Sequence, residues 1–481
     1  MLIWAGGIVL RAFIAASSRS LWGDEIHTWY WATQPDWRSI LNFCSTVNHP
    51  PLYYLVLKPV LAVFGERENV FRFVSAVAGS LALWALYRLA KELARKKVAA
   101  LSAFLMAVSA YFIHSSGEIR SYALMGLFAS LNIFLFVRSQ KKPKYLWTYI
   151  LSSPLIALTE HIGIFVPFGI TLFILIQRKW RMLRVQCLAL LLHLPWLWLA
   201  LHQAFQNEKV QDAGRLDEYW KAGILLKKAA GLFWHFTCGY RYSMLTLDVV
   251  AKKITQSPYF WMHGILTAAG IFLFFQGWLL TRRRSKNLFL LTATVFVIPL
   301  LVLLAAYPIR LTARYLIFAS PFFFIAIAAA LAQSRRWLSV SFITAFTFIN
   351  LCTDFYMIRS PMDAMHKDDF KSLIVYLKEH ADEKTALVGS QHHRRYFVKG
   401  LGLPPNVKYF DGLTTLDKTN TAPFQKLWNI RMGNMHPAVT ERILSEDTPF
   451  MNSLEFDKKS CEHFGGEEGL TYACLYEKKR D

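Results

Sequence analysis

Long apolar runs separated by short polar segments make up most of the chain. A helix that crosses a bilayer needs about 20 mostly apolar residues, and many of these runs approach that length. The pattern therefore predicts a polytopic α-helical membrane protein with about eleven spans. A short first run covers residues 2–16, and the later ones lie at about 69–90, 98–114, 121–138, 145–159, 162–177, 185–204, 259–281, 287–306, 313–332 and 338–357.

The first apolar run is short, and no basic residue precedes it. Ala15, Ala16 and Ser17 would suit a signal-peptide cleavage site, but the missing basic region favours a first transmembrane helix. Arg11 lies in its outer half, where a guanidinium reaches either the interface or a polar cavity. The apolar run over residues 51–64 is too short for a span and predicts an interfacial helix.

Basic residues alternate between the loops. Segments 91–97, 138–144, 178–184, 282–286 and 335–336 hold 4, 4, 4, 4 and 2 Lys or Arg, whereas the intervening short loops hold only Arg120, Arg310 and Arg314. Basic loops stay in the cytoplasm. We therefore expect a cytoplasmic N-terminus, with the opening loop (18–68) and the segments around Glu118, Glu160 and Arg310 on the outer side.

Two longer segments follow on the predicted outer side. Residues 205–258 include an apolar stripe at 219–236 interrupted by lysines, which predicts an interfacial amphipathic helix, with a hidden extra span as the alternative. The composition becomes polar after the transmembrane domain of residues 1–358. A helix pattern and the strand-like TALVGS in residues 359–481 predict a small extracytoplasmic α/β domain. Cys461 and Cys474 form a disulfide there or remain buried thiols.

The formal net charge of +22 would suggest a nucleic-acid partner in a soluble protein. Here the basic residues cluster between apolar runs, and no nucleic-acid-binding motif accompanies them, so we expect no such partner. The six cysteines include no C-x-x-C pair, which argues against a structural zinc site or a thioredoxin-like motif.

Few polar residues lie at membrane depth on the predicted outer side, where charges are costly and indicate function. They are Asp24, Glu25, His27, His49, Glu118, Arg120, Tyr122, Glu160, His161, Arg310, Arg314 and Tyr315. Carboxylates and imidazoles can act as bases or metal ligands, and arginines can bind a phosphate. Such a set suits transfer from a phosphorylated carrier to a hydroxyl, with an acid removing the acceptor proton.

Several segments resemble the membrane glycosyltransferases of the GT-C superfamily. They read LWGDE (21–25), NHPPLYY (48–54), FGERENVFRFVSAVAG (64–79), SGEIRSYAL (116–124) and, late in the chain, IRLTARYLIFASP (309–321). The resemblance is strongest to the bacterial branch related to protein O-mannosyltransferases and lipid A aminoarabinose transferases, and it covers about residues 8–165 well. A W-W-D-type motif is absent from the sequence, which argues against an oligosaccharyltransferase.

The resemblance implies inverting, single-displacement transfer of a sugar from a polyprenyl-phosphate-linked donor. The acceptor is a hydroxyl of a lipid, glycan or protein on the outer face of the plasma (inner) membrane. Asp24 matches the family's catalytic acid, which serves as general base, and Glu25 supports it or joins a metal site. Glu118, Arg120 and Tyr122 match the family's second acidic motif, in which Glu118 is a further catalytic candidate and Arg120 and Tyr122 are substrate-binding candidates. The other substrate-binding candidates are His49, Arg72, His161, Arg310, Arg314 and Tyr315, and the candidate ligands of a divalent metal ion are Glu25, His49 and Glu118.

Each assignment has a structural alternative. Asp24 could cap a helix, Glu25 could be an exposed loop acid, and Glu118 could form a buried ion pair with Arg120. His49 could cap the helix begun by the following prolines. Glu160 and His161 could belong to the interface, and Arg310 and Arg314 could reach lipid headgroups.

Two other functions fit a polytopic protein. A transporter or lipid flippase would use the same outward-facing acids as a proton or substrate path, but such proteins often show inverted repeats with broken helices, and none is visible here. A membrane scaffold would merely present residues 359–481. The sequence names neither the sugar, the carrier length nor the acceptor.

Overall fold

The computed structural model describes residues 2–16, 20–46, 49–206, 222–239, 258–306, 313–359, 369–382, 384–403, 407–432, 447–464 and 471–479. The chain divides into two compact units. The transmembrane unit comprises Met1–Ala16 and Gln34–Asp354, and the second unit comprises Ser17–Thr33 and Phe355–Asp481. The acidic segment of the opening loop therefore belongs with the C-terminal residues rather than with its neighbours in sequence.

The transmembrane unit is helical throughout its described ranges. Its helices are Leu2–Ala15, Trp37–Thr46, Leu52–Phe64, Glu68–Leu93, Lys96–Val108, Ala110–Gly117, Tyr122–Ser139, Leu146–Thr159, Phe165–Ile176, Trp180–Leu191, Leu194–Gln206, Ala222–Cys238, Pro258–Arg284, Lys286–Thr292, Ile298–Ala306, Ser320–Leu331 and the first part of Arg336–Arg359. A π-helical segment, Ala293–Val297, joins two of these helices into one continuous element.

Five helices in the described ranges are long and apolar enough to cross a membrane, or up to seven spans if each of two bent pairs counts as one. They lie at residues 68–93, 122–139, 260–284, 286–305 and 336–355, and the bent pairs lie at 96–117 and 180–203. Several long apolar side chains on them are exposed, including Ile265 and Phe272 of Pro258–Arg284. Apolar surface of this kind suits contact with lipid. The predicted polytopic helical membrane class is confirmed.

The core of this unit is built from aromatic side chains and close backbone contacts. Phe233, Phe274, Phe296 and Phe323 pack with ring centroids 4.9–6.3 Å apart. Helices approach closely where glycine leaves room: a Cβ on Gly277 would overlap the carbonyl oxygen of Ala326. Small residues at helix contacts are typical of membrane bundles.

The helix predicted over 219–236 is described from Ala222 to Cys238, and it differs from a purely interfacial helix. Leu232, Phe233, Trp234 and Phe236 are buried in the core. The lysines of this stretch lie in the first half of the helix, so its second half presents an uninterrupted apolar face for packing.

The span predicted over 98–114 is broken at Ser109, where Lys96–Val108 meets Ala110–Gly117 at 58°. Side chains from distant helices bind the backbone groups that the break releases. Arg11 donates to the carbonyls of Ala107 (3.3 Å) and Met106 (3.2 Å), and the Asn350 side chain accepts from the amide of Ala110 (2.8 Å). Arg11 thus serves a buried polar site in the bundle, one of its two predicted environments.

The C-terminal residues form a mixed five-stranded sheet of order β2-β1-β3-β5-β4. The strands are β1 (Thr385–Gly389), β2 (Lys408–Asp411), β3 (Lys426–Met432), β4 (Phe456–Phe464) and β5 (Thr471–Lys478). β1 pairs in parallel with β2 and β3, whereas β5 pairs antiparallel with β3 and β4. Helices Phe370–His380 and Gln391–Lys399 flank β1 in sequence, and the short helix Lys418–Thr421 precedes β3.

The predicted helix-then-strand order at the start of this region is confirmed by Phe370–His380 and β1. Cys461 and Cys474 face each other directly across β4 and β5 and form a disulfide, with their Cα atoms 4.0 Å apart. The disulfide alternative is therefore the one that the structure adopts.

Candidate functional site

The acidic pair of the opening loop lies in the first turn of the helix Gly23–Ala32, hereafter the acidic helix. The free amides at a helix N-terminus favour negative charge, which explains how the chain tolerates Asp24 beside Glu25. Glu25 is buried, and its Oε2 accepts a hydrogen bond from the backbone amide of Trp22 (3.4 Å). Glu25 therefore serves at the helix start, whereas the expected alternative was an exposed loop acid.

Asp24 lies on a less buried face of the acidic helix. At about 100° per residue, Asp24, His27 and Trp31 fall on one side of the helix. The His27 ring lies 6.5 Å from the Trp31 ring in an edge-on arrangement. Of the two adjacent acids, Asp24 is thus the less buried.

In the transmembrane unit, Glu118 lies just after the helix Ala110–Gly117 and is buried. His114 Nε2 lies 3.1 Å from Glu118 Oε1, one helical turn away. His114 was not among the residues predicted from the sequence, although its i, i+4 spacing from Glu118 was a usable signal. The structure thus gives Glu118 an imidazole partner one helical turn away.

Two arginines from distant parts of the chain meet at one tyrosine. The guanidinium carbons of Arg120 and Arg314 lie 5.6 Å and 5.7 Å from the Tyr122 ring centroid, and Arg314 also lies 5.6 Å from the Tyr315 ring. The rings of Tyr122 and Tyr315 contact edge-on at 6.4 Å. Cation–π contacts of this length are attractive and restrain the guanidinium groups. We call these four residues the Arg–Tyr cluster.

The Tyr122 hydroxyl is buried and has no hydrogen-bond partner among the residues that the structure describes. A buried hydroxyl without a partner is costly, and a ligand oxygen would relieve that cost. The backbone at Arg120 is held separately, because Ser75 Oγ donates to its carbonyl (3.4 Å) and Tyr53 contacts Ser75 (2.8 Å). This support from other helices was not visible in the sequence.

Glu160 and His161 join the same region through neighbouring contacts. Ser121, between Arg120 and Tyr122, donates to Glu160 Oε1. Trp196 Nε1 donates to His161 Nδ1 (3.0 Å), and because indole nitrogen only donates, the proton of a neutral His161 resides on Nε2. The predicted set around 118–122, 160–161 and 314–315 is thus brought together within the transmembrane unit.

Three other candidates remain to be placed. Arg72 is fully buried, and its Nη1 lies 3.9 Å from Glu68 Oε2, one turn earlier in the helix. His49 stacks against Phe43 with ring centroids 6.5 Å apart. Arg310 lies outside the described residues.

Within the described ranges, no group of three or more His, Cys, Asp or Glu side chains could hold a metal ion. Glu25 bonds at the start of the acidic helix and Glu118 contacts His114, so both carboxylates have protein partners.

Residues 48–201 match the family described as dolichyl-phosphate-mannose-protein mannosyltransferase. The resemblance to GT-C glycosyltransferases is confirmed. The matched segment holds His49, Arg72, His161 and the 118–122 motif, whereas Asp24 and Arg314 lie beyond its two ends. A protein of Aquifex aeolicus (strain VF5), described as uncharacterized, is 28% identical over 136 residues. That match covers 27% of this chain and only 27% of the relative's length.

Solved structures extend the likeness to the whole fold. ArnT from Cupriavidus metallidurans in the apo state matches over 98% of this chain and 97% of that chain, with a TM-score of 0.58 and 12% identity. The same protein bound to undecaprenyl phosphate gives a TM-score of 0.54 over the same shares at 12% identity. AglB from Archaeoglobus fulgidus, in complex with an inhibitory peptide and a dolichol-phosphate, covers 89% of this chain and 69% of that chain, with a TM-score of 0.50 and 12% identity. At this identity the likeness shows the ArnT-like fold and nothing finer.

Proposed function

We propose that this protein transfers a sugar from a polyprenyl-phosphate-linked donor to a hydroxyl acceptor on the extracytoplasmic face of the plasma membrane. The observation that carries the proposal is the Arg–Tyr cluster, in which Arg120 and Arg314 flank Tyr122. The family match supports the same donor class, and ArnT and AglB were solved with undecaprenyl phosphate and a dolichol-phosphate respectively.

The Arg–Tyr cluster suits a phosphate that gains charge as the reaction proceeds. Arginine binds phosphate oxygens through several fixed N–H donors, and its guanidinium remains charged. The buried Tyr122 hydroxyl supplies one more donor without a competing protein partner in the described region. Together these groups stabilise the phosphate most when it leaves, which lowers the barrier rather than only tightening binding.

The reaction is a single displacement. The carboxylate of Asp24 accepts the proton of the acceptor hydroxyl, and the hydroxyl oxygen forms a bond to the anomeric carbon. The bond between that carbon and the donor phosphate oxygen breaks, and its electron pair leaves with polyprenyl phosphate. Attack from the face opposite to the phosphate inverts the anomeric configuration. His114 holds Glu118, the acid of the second motif. The other proposed binding residues are His49, Arg72, His161, Arg310 and Tyr315.

The proposed topology has eleven spans, a cytoplasmic N-terminus and an extracytoplasmic C-terminal domain. Five helices, or up to seven spans with the bent pairs, support part of this topology, and shorter apolar helices such as Leu146–Thr159 and Ser320–Leu331 are proposed to supply the others. The alternation of basic loops supports the orientation, and the Cys461–Cys474 disulfide suits an oxidising compartment. The division into a catalytic domain of residues 1–358 and a soluble domain of residues 359–481 remains part of this proposal.

A donor panel tests the proposal. Purified protein in lipid nanodiscs is given polyprenyl phosphates carrying different hexoses and pentoses, with lipid, glycan and peptide hydroxyl acceptors. We expect release of polyprenyl phosphate and formation of a glycosylated acceptor of inverted configuration from one donor. Retained configuration would refute the single displacement.

The transporter alternative gives a different result in a parallel preparation. Movement of labelled carrier lipid across proteoliposomes, with no hydrolysis or transfer of any donor, would replace the proposed transferase activity with lipid translocation. Product formation without such movement would support the transferase.

A further inference from the structure

The acidic helix is attached at both of its ends to the C-terminal residues of its own compact unit. Before the helix, Ser20 Oγ accepts a hydrogen bond from the amide of Phe370 (3.1 Å), the first residue of Phe370–His380. After it, Arg395 Nη2 donates to the carbonyl oxygen of Thr33 (2.7 Å). The two attachments enclose the whole segment that bears the proposed general base.

Arg395 makes the more extensive of these attachments. Its guanidinium carbon lies 6.0 Å from the Trp29 ring and 5.7 Å from the Tyr30 ring. Trp29 also contacts the ring of Tyr396, the residue after Arg395, edge-on at 5.8 Å. Trp29, Thr33 and Tyr396 are all buried, so water does not weaken these contacts as it would at a surface.

The position of Arg395 suits the end of the acidic helix at which it lies. The last carbonyls of a helix lack partners within the helix, and the C-terminus carries partial negative charge. Thr33 is the residue that closes this helix, and its amide already bonds to Trp29. Arg395 therefore binds a carbonyl at the helix end and places a positive charge where the helix favours one.

The side of the acidic helix that contacts Arg395, hereafter the clamp, is opposite to the side that carries Asp24. At about 100° per residue, Trp29 lies about 140° around the helix from Asp24, whereas Asp24, His27 and Trp31 share a face. Arg395 can therefore restrain the helix without reaching toward the substrate of Asp24.

We propose that Arg395 is a positioning residue for the glycosyl transfer. Through Arg395 the C-terminal domain holds the acidic helix and fixes the orientation of the Asp24 side chain. This inference rests on the proposed function for its catalytic consequence, but the clamp itself is a physical property that can be measured without turnover. The C-terminal domain thereby orders the segment that carries the base.

The chain offers a matched control in Arg394. It lies on the same helix, Gln391–Lys399, and carries the same charge, but it is exposed and none of the clamp contacts described above involves its side chain. Arg395→Lys provides a conservative variant, since lysine keeps the charge but loses the planar group that lies over both rings. Trp29→Leu removes the stacked ring from the other side of the contact.

The experiment uses the full chain in nanodiscs and measures amide hydrogen exchange across residues 22–33 together with steady-state transfer. For Arg395→Ala we expect faster exchange in this segment, a kcat lower by about 10- to 100-fold and an unchanged donor KM, because the base is misplaced while the phosphate site is intact. Arg395→Lys should recover only part of kcat, and Arg394→Ala should behave as the wild type in both measurements. Protection of the amides of β1 and β3 from hydrogen exchange shows that the C-terminal domain remains folded in each variant.

Wild-type exchange rates across residues 22–33 in Arg395→Ala would overturn the clamp, and a raised donor KM with unchanged kcat would overturn its catalytic role. If β1 loses its protection from exchange in Arg395→Ala, the same test is made with Trp29→Leu. Its exchange rates across residues 22–33 then decide the clamp, and its kcat and donor KM decide the catalytic role. Absence of turnover in the wild-type protein with every donor would refute the proposed function, whereas the exchange measurement would still decide the clamp.

Discussion

At the residue scale, the proposed chemistry depends on side chains that are distant in sequence and converge on Tyr122. Arg120 and Arg314 stack on its ring, and Ser121 reaches Glu160. The sequence singles out these residues because charged and polar groups are rare at membrane depth. That a single ring joins them could not be predicted, because it requires the packing of segments that are far apart in the sequence.

Replacement of one arginine of the Arg–Tyr cluster tests its role. Arg314→Ala should lower kcat/KM for the donor by about 100-fold or more, because a donor to the departing phosphate is lost. Arg335→Ala, at an exposed arginine in a predicted cytoplasmic loop, removes the same charge and should leave the value unchanged. Transfer kinetics with a fixed acceptor measure both variants, and equal values for Arg314→Ala and the wild type would refute a phosphate role.

Glu25 and His114 show the limits of reasoning from residue type alone. By residue type alone either acid of the pair 24–25 suits a base, and only the family resemblance pointed to Asp24. In the structure Glu25 bonds to the amide of Trp22 at the helix start. The position of the helix start decides that Glu25 bonds to the backbone there, and so separates its role from the one proposed for Asp24. Trp22, just before the helix, is not a typical N-cap residue and so does not reveal that position in the sequence. His114 has a helical spacing from Glu118 but sits in an apolar run, where a buried core histidine is the ordinary expectation.

At the scale of helices and strands, the polytopic helical class was predictable from the sequence, whereas the shapes of individual helices were not. The break at Ser109 contains neither proline nor glycine, the usual signals of a kinked helix. It persists because Arg11 and Asn350, from the first and last helices of the bundle, bind the released backbone groups. The local sequence pattern around Ser109 cannot predict partners that are so distant in the sequence. The strand TALVGS, by contrast, is a short apolar run whose β-type pattern was sufficient.

Close helix contact provides a prediction about stability. Gly277→Ala would place a methyl group against the Ala326 carbonyl oxygen, so the helices Pro258–Arg284 and Ser320–Leu331 must separate. We expect a destabilisation of about 1–3 kcal/mol or more, seen as a lower thermal unfolding midpoint in detergent. Gly6→Ala makes the same substitution where nothing lies within 4 Å and should not lower the midpoint. A Gly277→Ala midpoint equal to that of the wild type would contradict the packing.

At the scale of the whole molecule, two compact units divide the proposed chemistry. The residues proposed to bind the phosphate belong to the transmembrane unit, whereas Asp24 belongs to the same unit as the C-terminal sheet. The change in composition predicts a domain boundary near residue 358. Nothing in the sequence indicated that residues 17–33 group with that domain, because the contacts of Trp29 and Ser20 skip more than three hundred residues.

The reactivity of the cysteines tests which side of the membrane the C-terminal domain occupies. Cys44, Cys187, Cys238 and Cys352 are free, and Cys461 is joined to Cys474. The protein is taken from freshly prepared membranes and denatured without reductant. If the domain is extracytoplasmic, maleimide should react with the four free cysteines at once. It should react with Cys461 and Cys474 only after their disulfide has been reduced. Reaction of the pair without reductant would contradict the proposed side.

The most direct test of the central claim is the rate of sugar transfer by Asp24→Asn, measured beside Asp36→Asn. Asp36 is an exposed acid of the same loop whose pKa lies below its ordinary value because the backbone amide and hydroxyl of Ser39 bond to its carboxylate. Its substitution therefore also removes a negative charge, while asparagine keeps the cap of the helix Trp37–Thr46. Both variants should insert in the membrane and bind donor as the wild type does.

We expect Asp24→Asn to lower kcat by about 10²- to 10⁴-fold, because the amide cannot accept the acceptor proton, and Asp36→Asn to keep wild-type turnover. Full transfer activity in Asp24→Asn, with the protein folded and the donor bound, would contradict the assignment of the base and with it the proposed reaction at this face.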